Sequence, residues 1–169
     1  MKTKMYKRII IIGDAGRGKS TFARKLSEKT GIPHYSTDDF YWKKRPFVAH
    51  EREVSETMAK EKFAEDEWII EGTTQWLVKL GLDRADIIVH MYFKSIFVQW
   101  FYILKRHFQR KEDPLASTLH LLKHVFYKRY NLGYKKGAIT HKEILAPYKN
   151  KVVKVTSFRQ TKEFLDGLE

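Results

Sequence analysis

The chain has 169 residues, of which 43% are hydrophobic and 31% charged, so the composition predicts a folded protein of one domain and excludes a disordered one. It contains no cysteine, which excludes zinc ribbons, disulfide-stapled scaffolds and thiol nucleophiles and is compatible with a reducing cytoplasm. The net charge of +13 calls for an anionic partner, which could be a nucleotide, a nucleic acid or a membrane surface.

The first predicted element is a strand of β-branched residues, 8–12, which leads directly into the segment GDAGRGKST, 13–21. That segment fits the P-loop pattern G-x-x-x-x-G-K-S/T. The residues at its fixed positions are Gly13, Gly18, Lys19 and Ser20. A helix predicted over 20–30 and ended by Gly31 completes the strand, loop and helix that a P-loop requires.

The residue types of the loop suit a polyphosphate. Backbone amides of the glycine-rich loop and the helix N-terminus would point at the phosphates. Lys19 would reach the β- and γ-phosphates, and the Ser20 hydroxyl would ligate Mg²⁺. We expect a structural role for Asp14, because its carboxylate would repel an anion, and a solvated side chain for Arg17. The predicted nucleotide-binding residues are Gly13, Asp14, Ala15, Gly16, Arg17, Gly18, Lys19, Ser20 and Thr21.

Strands and helices alternate along the rest of the chain, which predicts an α/β fold of three layers, with a five-stranded parallel sheet between helices. The further predicted strands are 34–39, 67–72, 85–93 and 151–157. The further predicted helices are 51–66, 73–81, 96–111, the middle of 112–137, one ending near Pro147, and 161–168.

Two apolar segments do not predict membrane insertion. The four isoleucines of the N-terminal segment are too few for a signal peptide. Polar residues interrupt the most apolar stretch, 86–104, so it does not reach the ~20 residues that span a bilayer. We expect a strand and a buried helix there.

Carboxylates follow two of the predicted strands. Asp38 and Asp39 come at the end of the second strand, and Glu71 with Gly72 ends the third. In open parallel sheets the ligand binds beyond the carboxyl ends of the strands, so these residues should converge with the P-loop on one cleft.

The segments RIIIIGDAGRGKSTFARKLSEKTGIPHYSTDDFYWK, WIIEG and LDRADIIVHMYF resemble the adenylate-kinase-related P-loop proteins called DNA topology modulation proteins (FlaR-like). These are relatives of nucleoside monophosphate kinases and shikimate kinase. The resemblance is specific over residues 6–110 and looser afterwards. It implies a nucleoside monophosphate kinase-like domain over 1–169, ATP and Mg²⁺ as cofactors, an acceptor-binding segment at about 38–66 and a lid at about 106–141.

The resemblance also implies roles for two carboxylates. Asp38 matches the acidic residue that meets the acceptor in shikimate-kinase-like relatives, and it could orient an acceptor hydroxyl as base. The alternatives are that Asp38 caps a helix or pairs with Lys43 or Lys44, and Asp39 could exchange roles with it. Glu71 would hold Mg²⁺ through water, or else be an ordinary carboxylate at a strand end.

Lid arginines of the relatives clamp the phosphates in the transition state. Arg106 and Arg110 fall at such positions and lie four residues apart, on one helical face, where a solvated basic surface is the alternative. Arg129 is a weaker third candidate.

The sequence departs from the family at two places. Tyr92 stands where the fourth strand often ends in an acid, and EGTTQW replaces the GFPR signature of adenylate kinases, so AMP is not predicted as the acceptor. The absence of NKxD and DxxG motifs argues against a GTPase. We therefore predict a cytoplasmic P-loop kinase that transfers the γ-phosphoryl of ATP to a small acceptor.

The basic window 105–136 leaves a second function open. Its charges would belong to a kinase lid, or would track the phosphates of DNA or RNA in a P-loop ATPase that affects DNA topology. No helix-turn-helix, zinc-finger or RNA-binding signature accompanies the window.

The aromatic residues of 97–108 predict core packing or a subunit contact, and hence a possible homodimer. We expect Tyr41, Trp42 and Phe47 either to stack on an acceptor or to pack in the core.

Overall fold

The computed structural model describes residues 6–44, 48–109, 115–130, 132 and 140–167. The strands in these residues are β1 Arg8–Gly13, β2 His34–Ser36, β3 Trp42–Lys44, β4 Val48–Ala49, β5 Trp68–Gly72, β6 Ile87–Met91 and β7 Val152–Val155. The α-helices are α1 Lys19–Thr30, α2 Thr37–Tyr41, α3 Arg52–Ala64, α4 Gln75–Lys79, α5 Ile96–Gln109, α6 Leu115–Tyr130, α7 His141–Leu145 and α8 Phe158–Asp166.

Five of the described strands form one sheet in the order β2-β5-β1-β6-β7, and all four neighbouring pairs are parallel. The predicted parallel α/β fold is confirmed. The central position of β1 explains its unbroken isoleucine run, since such a strand is covered on both faces. It also puts the loop that follows β1 in the middle of the sheet's carboxyl edge.

The isoleucines of β1 divide between two cores because successive side chains of a strand point to opposite faces. Ile10 and Ile12 pack in the core that α3, α4 and α7 cover, while Ile9 and Ile11 pack in the core under α1. All four side chains are at most 1% exposed. At roughly 1.5–3 kcal/mol for each fully buried side chain, these contacts fix β1 firmly beneath its loop.

The second predicted strand is shorter than expected. It ends at Ser36, and residues 37–41 form helix α2 instead of a strand end. The reason is a capping box: the Ser36 side chain accepts from the Asp38 amide, and the Asp39 carboxylate accepts from the Ser36 amide. The antiparallel pair β3–β4 was not predicted from the sequence, because both strands are short and mostly exposed.

The predicted core packing is wrong for part of the α5 aromatic run. Phe97, Phe101 and Phe108 are 73%, 60% and 78% exposed. A subunit contact for these rings stays a prediction. Among the described residues, no helix has the length and apolar character needed to cross a membrane.

Close packing between β5 and α2 gives a stability prediction. A Cβ added at Gly72 would overlap the hydroxyl of Thr37, which is fully buried. We expect Gly72→Ala to lower the free energy of unfolding in urea by about 1–3 kcal/mol, the usual cost of overpacking. Gly167→Ala is the comparison, since its added Cβ would make a tight contact with the Glu163 carbonyl at 3.3 Å but no overlap, and we expect a smaller loss there. Equal effects of the two substitutions would contradict the packing.

Candidate active site at the P-loop

The loop between β1 and α1 has the backbone conformation of a phosphate-binding loop. Gly16 and Gly18 have φ angles of 78° and 81°, which side chains with a Cβ rarely adopt. Gly18 is the residue before α1, and none of the described side chains caps the helix there. The first amides of α1 have no partner within the helix, so they are available to an anion.

Asp14 holds the loop against the end of β6. Its amide donates to the Met91 carbonyl at 2.9 Å, and its Oδ2 accepts from the Phe93 amide at 3.0 Å. Gln99 adds a bond from its Nε2 to the Ala15 carbonyl at 3.3 Å. Asp14 therefore has the structural role expected of it.

Lys19 is poised inside the loop. Its Nζ donates to the Asp14 carbonyl at 2.9 Å, and the residue is only 8% exposed. Burial lowers the pKa of Lys19, while the charges of Glu71, Asp14 and Asp38 favour the protonated form. A polyphosphate placed against Lys19 would add negative charge and stabilise the ammonium further.

The two predicted metal residues are in direct contact. Ser20 Oγ donates to Glu71 Oε1 at 2.9 Å, and Glu71 is 5% exposed at the end of β5. Mg²⁺ prefers few protein oxygens and keeps waters and substrate phosphates as its other ligands, so a hydroxyl beside a carboxylate fits that ion. Within the described ranges, no cluster of three His, Cys, Asp or Glu side chains offers a cage built from protein alone.

The structure separates the two aspartates at the end of β2. The Asp39 carboxylate belongs to the capping box of α2, whereas the Asp38 carboxylate has neither a hydrogen bond nor an ion pair to any described residue. Asp38 is partly exposed and faces the same cavity as the P-loop. Asp38 thus remains available for chemistry.

One cavity of about 490 Å³ collects the predicted groups. Those that line it are Gly16, Gly18, Lys19, Ser20, Thr21, Asp38, Glu71 and Arg106. The predicted convergence is therefore seen, with Arg106 reaching the cavity from α5. Arg110 lies outside the described residues. Arg129 is elsewhere: its guanidinium donates to the carbonyls of Phe93 and Lys94 at 3.1 and 2.6 Å.

The expectation of a solvated Arg17 is wrong. The side chain is 1% exposed, and its guanidinium lies 4.5 Å from the ring centre of Phe158 and 5.4 Å from that of Phe93. All three of its nitrogens are buried without a hydrogen bond to a described residue. Burial lowers the pKa of Arg17 for that reason.

Replacing Arg17 tests this burial. We expect Arg17→Met to raise the free energy of unfolding by roughly 1–3 kcal/mol, because an unpaired buried charge gives way to an apolar chain between two aromatic rings. The exposed Arg24→Met on α1 is the control and should stay within about 0.5 kcal/mol. Destabilisation of the Arg17 variant in urea titrations would mean that the cation–π contacts outweigh the desolvation cost.

Sequence reasoning missed a second, larger cavity beside the first. It measures about 750 Å³ and is lined by the end of β6 and by residues of α6 and α7. Its polar residues include His90, Tyr92, Lys128 and His141. Spacing gave no signal for this grouping, because His90 lies in β6, Tyr92 just after it, Lys128 in α6 and His141 in α7. Tyr41, by contrast, packs on Trp42 and Trp76, at 4.6 and 6.4 Å between ring centres, while Phe47 lies outside the described residues.

No family model matches the chain. It is 36% identical over 85 residues to an adenylate kinase of Thermotoga neapolitana, an alignment that covers 47% of this chain and 37% of that protein. It is 35% identical over 79 residues to an adenylate kinase of Streptococcus mutans, covering 47% and 35%. The chain thus spans less than half the length of the curated relatives it matches.

Two solved structures share the fold over nearly the whole chain. A shikimate kinase from Acinetobacter baumannii, in complex with shikimate, has a TM-score of 0.56 at 17% identity and covers 96% of this chain and 93% of its own. A gluconokinase from Sinorhizobium meliloti has a TM-score of 0.56 at 14% identity and covers 96% and 89%. The chain therefore has the three-layer α/β fold of P-loop kinases, and about half of it is similar in sequence to adenylate kinases.

Proposed function

We propose that the protein is a P-loop kinase that transfers the γ-phosphoryl group of ATP, with Mg²⁺, to a small acceptor. The observation that carries this proposal is the single cavity in which the P-loop, the Ser20–Glu71 pair, Asp38 and Arg106 meet. Adenylate kinases, a shikimate kinase and a gluconokinase among the similar proteins support the same reaction class.

The residues divide the work of an in-line transfer. The acceptor oxygen bonds to the γ-phosphorus, the bond to the β–γ bridging oxygen breaks, and ADP leaves with that electron pair. Asp38, whose carboxylate has no hydrogen bond or ion pair within the described part of the chain, takes the hydroxyl proton. Lys19 and Arg106 neutralise charge on the phosphoryl oxygens, and Ser20 with Glu71 would hold Mg²⁺, which supplies further charge neutralisation. Positioning and electrostatics are most of what this reaction needs.

The finer assignments belong to this proposal. They include membership of the FlaR-like family, one domain over 1–169, an acceptor-binding segment near 38–66, a lid near 106–141 and a cytoplasmic location. DNA or RNA binding through the basic window and a homodimer through the aromatic residues of α5 remain predictions from the sequence, and the cavity favours the kinase over a nucleic-acid-linked ATPase.

A transfer assay with γ-labelled ATP and Mg²⁺ tests the proposal. The acceptors are nucleosides, nucleoside monophosphates and small hydroxylated metabolites, with duplex DNA in a parallel arm. We expect a labelled small product whose formation DNA does not change. ATP hydrolysis without such a product, rising with DNA, would replace the kinase by a nucleic-acid-linked ATPase.

A further inference from the structure

The larger cavity adjoins the P-loop cavity. Ala15, Thr73 and Leu121 line both, so the two spaces share a wall at the phosphate-binding loop. Lys19 lies close to that junction, because it lines the P-loop cavity and donates at 2.9 Å to the carbonyl of Asp14, which lines the larger one. A molecule in the larger cavity would therefore lie next to the γ-phosphate site.

The lining of the larger cavity is strongly basic. Its basic residues include His90, Lys94, Lys128, Arg129, His141 and Lys142. Asp14 is the one acidic residue among the lining residues that the structure describes, and its Oδ2 already accepts the Phe93 amide. The excess of positive charge favours a negatively charged occupant.

Two of these groups have hydrogen-bonding capacity to spare. His141 Nε2 is buried and has no partner among the described residues, while its ring meets that of His90 edge-on with 5.8 Å between centres. Lys128 is partly buried and makes no hydrogen bond or ion pair with any described residue. Burial lowers the pKa of Lys128, and burial with the nearby Lys128 charge lowers the pKa of His141 to about 3. An anion would offset both effects.

Arg129 has a different task in the same wall. Its two bonds to the carbonyls of Phe93 and Lys94 tie α6 to the segment after β6. These bonds hold Lys128, the preceding residue of α6, at the cavity. Buried polar groups are rarely left unpaired in native proteins, so the buried Nε2 of His141, which has no hydrogen-bond partner among the described residues, indicates a ligand.

We propose that this cavity binds the part of the phosphoryl acceptor that carries a phosphate or carboxylate group, which Lys128 and His141 hold, while the acceptor hydroxyl reaches past the shared lining residues towards Asp38 in the P-loop cavity. The inference rests on the proposed kinase function and adds to it the class of acceptor and the residues that recognise it. A neutral polyol would leave the basic lining uncompensated, whereas a volume of about 750 Å³ has room for a nucleotide, a sugar phosphate or a hydroxy acid.

Calorimetry on the full chain tests the site, with the P-loop first saturated by Mg²⁺ and the non-hydrolysable analogue AMP-PNP. The probes form matched pairs: AMP and adenosine, glucose 6-phosphate and glucose, gluconate and sorbitol. We expect at least one anionic probe to bind, and its neutral partner to bind at least tenfold more weakly. The preferred pair distinguishes nucleotide, sugar phosphate and carboxylate as the source of the anion.

Variants assign the binding to residues. Lys128→Met should weaken the anionic probe tenfold or more, and His141→Gln about threefold or more, while the Kd of AMP-PNP changes less than twofold. Lys123→Met is the matched control, because it removes an exposed charge from the same helix without touching the cavity. Unchanged thermal unfolding of each variant establishes that it is folded.

Each failure has its own meaning. The anionic acceptor site is overturned by equal binding of charged and neutral probes, by no binding of any probe, or by no effect of Lys128→Met. In each of these cases the kinase proposal still stands if AMP-PNP binds. Failure of AMP-PNP to bind overturns the kinase. In that case the probes are titrated into the Lys19→Ala variant with and without the Lys128→Met substitution. Anion binding that the added Lys128→Met substitution removes still supports the site, and absence of anion binding overturns it.

Discussion

Lys19→Ala is expected to lower phosphoryl transfer by about 10³-fold or more and to abolish the stabilisation of the fold by ATP and Mg²⁺. The wild-type ammonium sits inside the loop on the Asp14 carbonyl, where it can move onto the β- and γ-phosphates. Alanine leaves the glycine-rich backbone in place but removes the charge that opposes four phosphate charges. Burying the Lys19 cation costs free energy, so we expect its removal to leave the folded state itself intact.

Thermal unfolding with and without nucleotide makes the comparison. A ligand at 100 times its Kd stabilises the fold by about 2.7 kcal/mol, and we expect this shift in the wild type and in Lys25→Ala, an exposed lysine on the same helix. The shift should vanish in Lys19→Ala. Undiminished stabilisation of Lys19→Ala by ATP and Mg²⁺ would remove the P-loop as the nucleotide site.

Asp38→Asn is expected to reduce the rate of transfer by about 10²–10⁴-fold while the Kd of ATP changes by less than threefold. The amide keeps the size of the side chain and loses the ability to accept a proton. The carboxylate has no partner among the described residues, so its replacement should not disturb the fold.

Asp39→Ala is the informative control for Asp38. Asp39 closes the capping box of α2, and we expect its loss to cost about 0.5–2 kcal/mol of stability with little change in the transfer rate. Single-turnover transfer and ATP titration, run on both variants, separate the roles. Parallel losses of ATP binding and transfer in Asp38→Asn would assign Asp38 to nucleotide binding or folding instead of acceptor activation.

Local patterns were sufficient to predict the frame of the site. The isoleucine run before Gly13 and the fixed spacing to Lys19 specify strand, loop and helix within one continuous segment. The convergence of Asp38 and Glu71 follows from a general property of parallel sheets, whose carboxyl ends share one edge. Both inferences depend on neighbours in the sequence or on topology alone.

The mistaken and missed assignments depend on contacts between distant parts of the chain. Arg17 is buried because Phe93 and Phe158, 76 and 141 positions further on, close around it. Lys128 belongs to the basic window that the sequence assigned to a kinase lid or to nucleic-acid binding, and only the packing of α6 and α7 beside the P-loop brings Lys128 and His141 to one cavity. No periodicity in the sequence predicts such contacts between distant segments.

A crystal structure of the chain with Mn²⁺ in place of Mg²⁺ and with AMP-PNP tests most directly whether one cavity holds donor, metal and base. The anomalous signal of Mn²⁺ should lie beside Ser20 and Glu71, the terminal phosphates against residues 16–20, and the γ-phosphate towards Asp38. Nucleotide bound elsewhere, or a metal remote from Ser20 and Glu71, would contradict the proposed site and the kinase chemistry built on it.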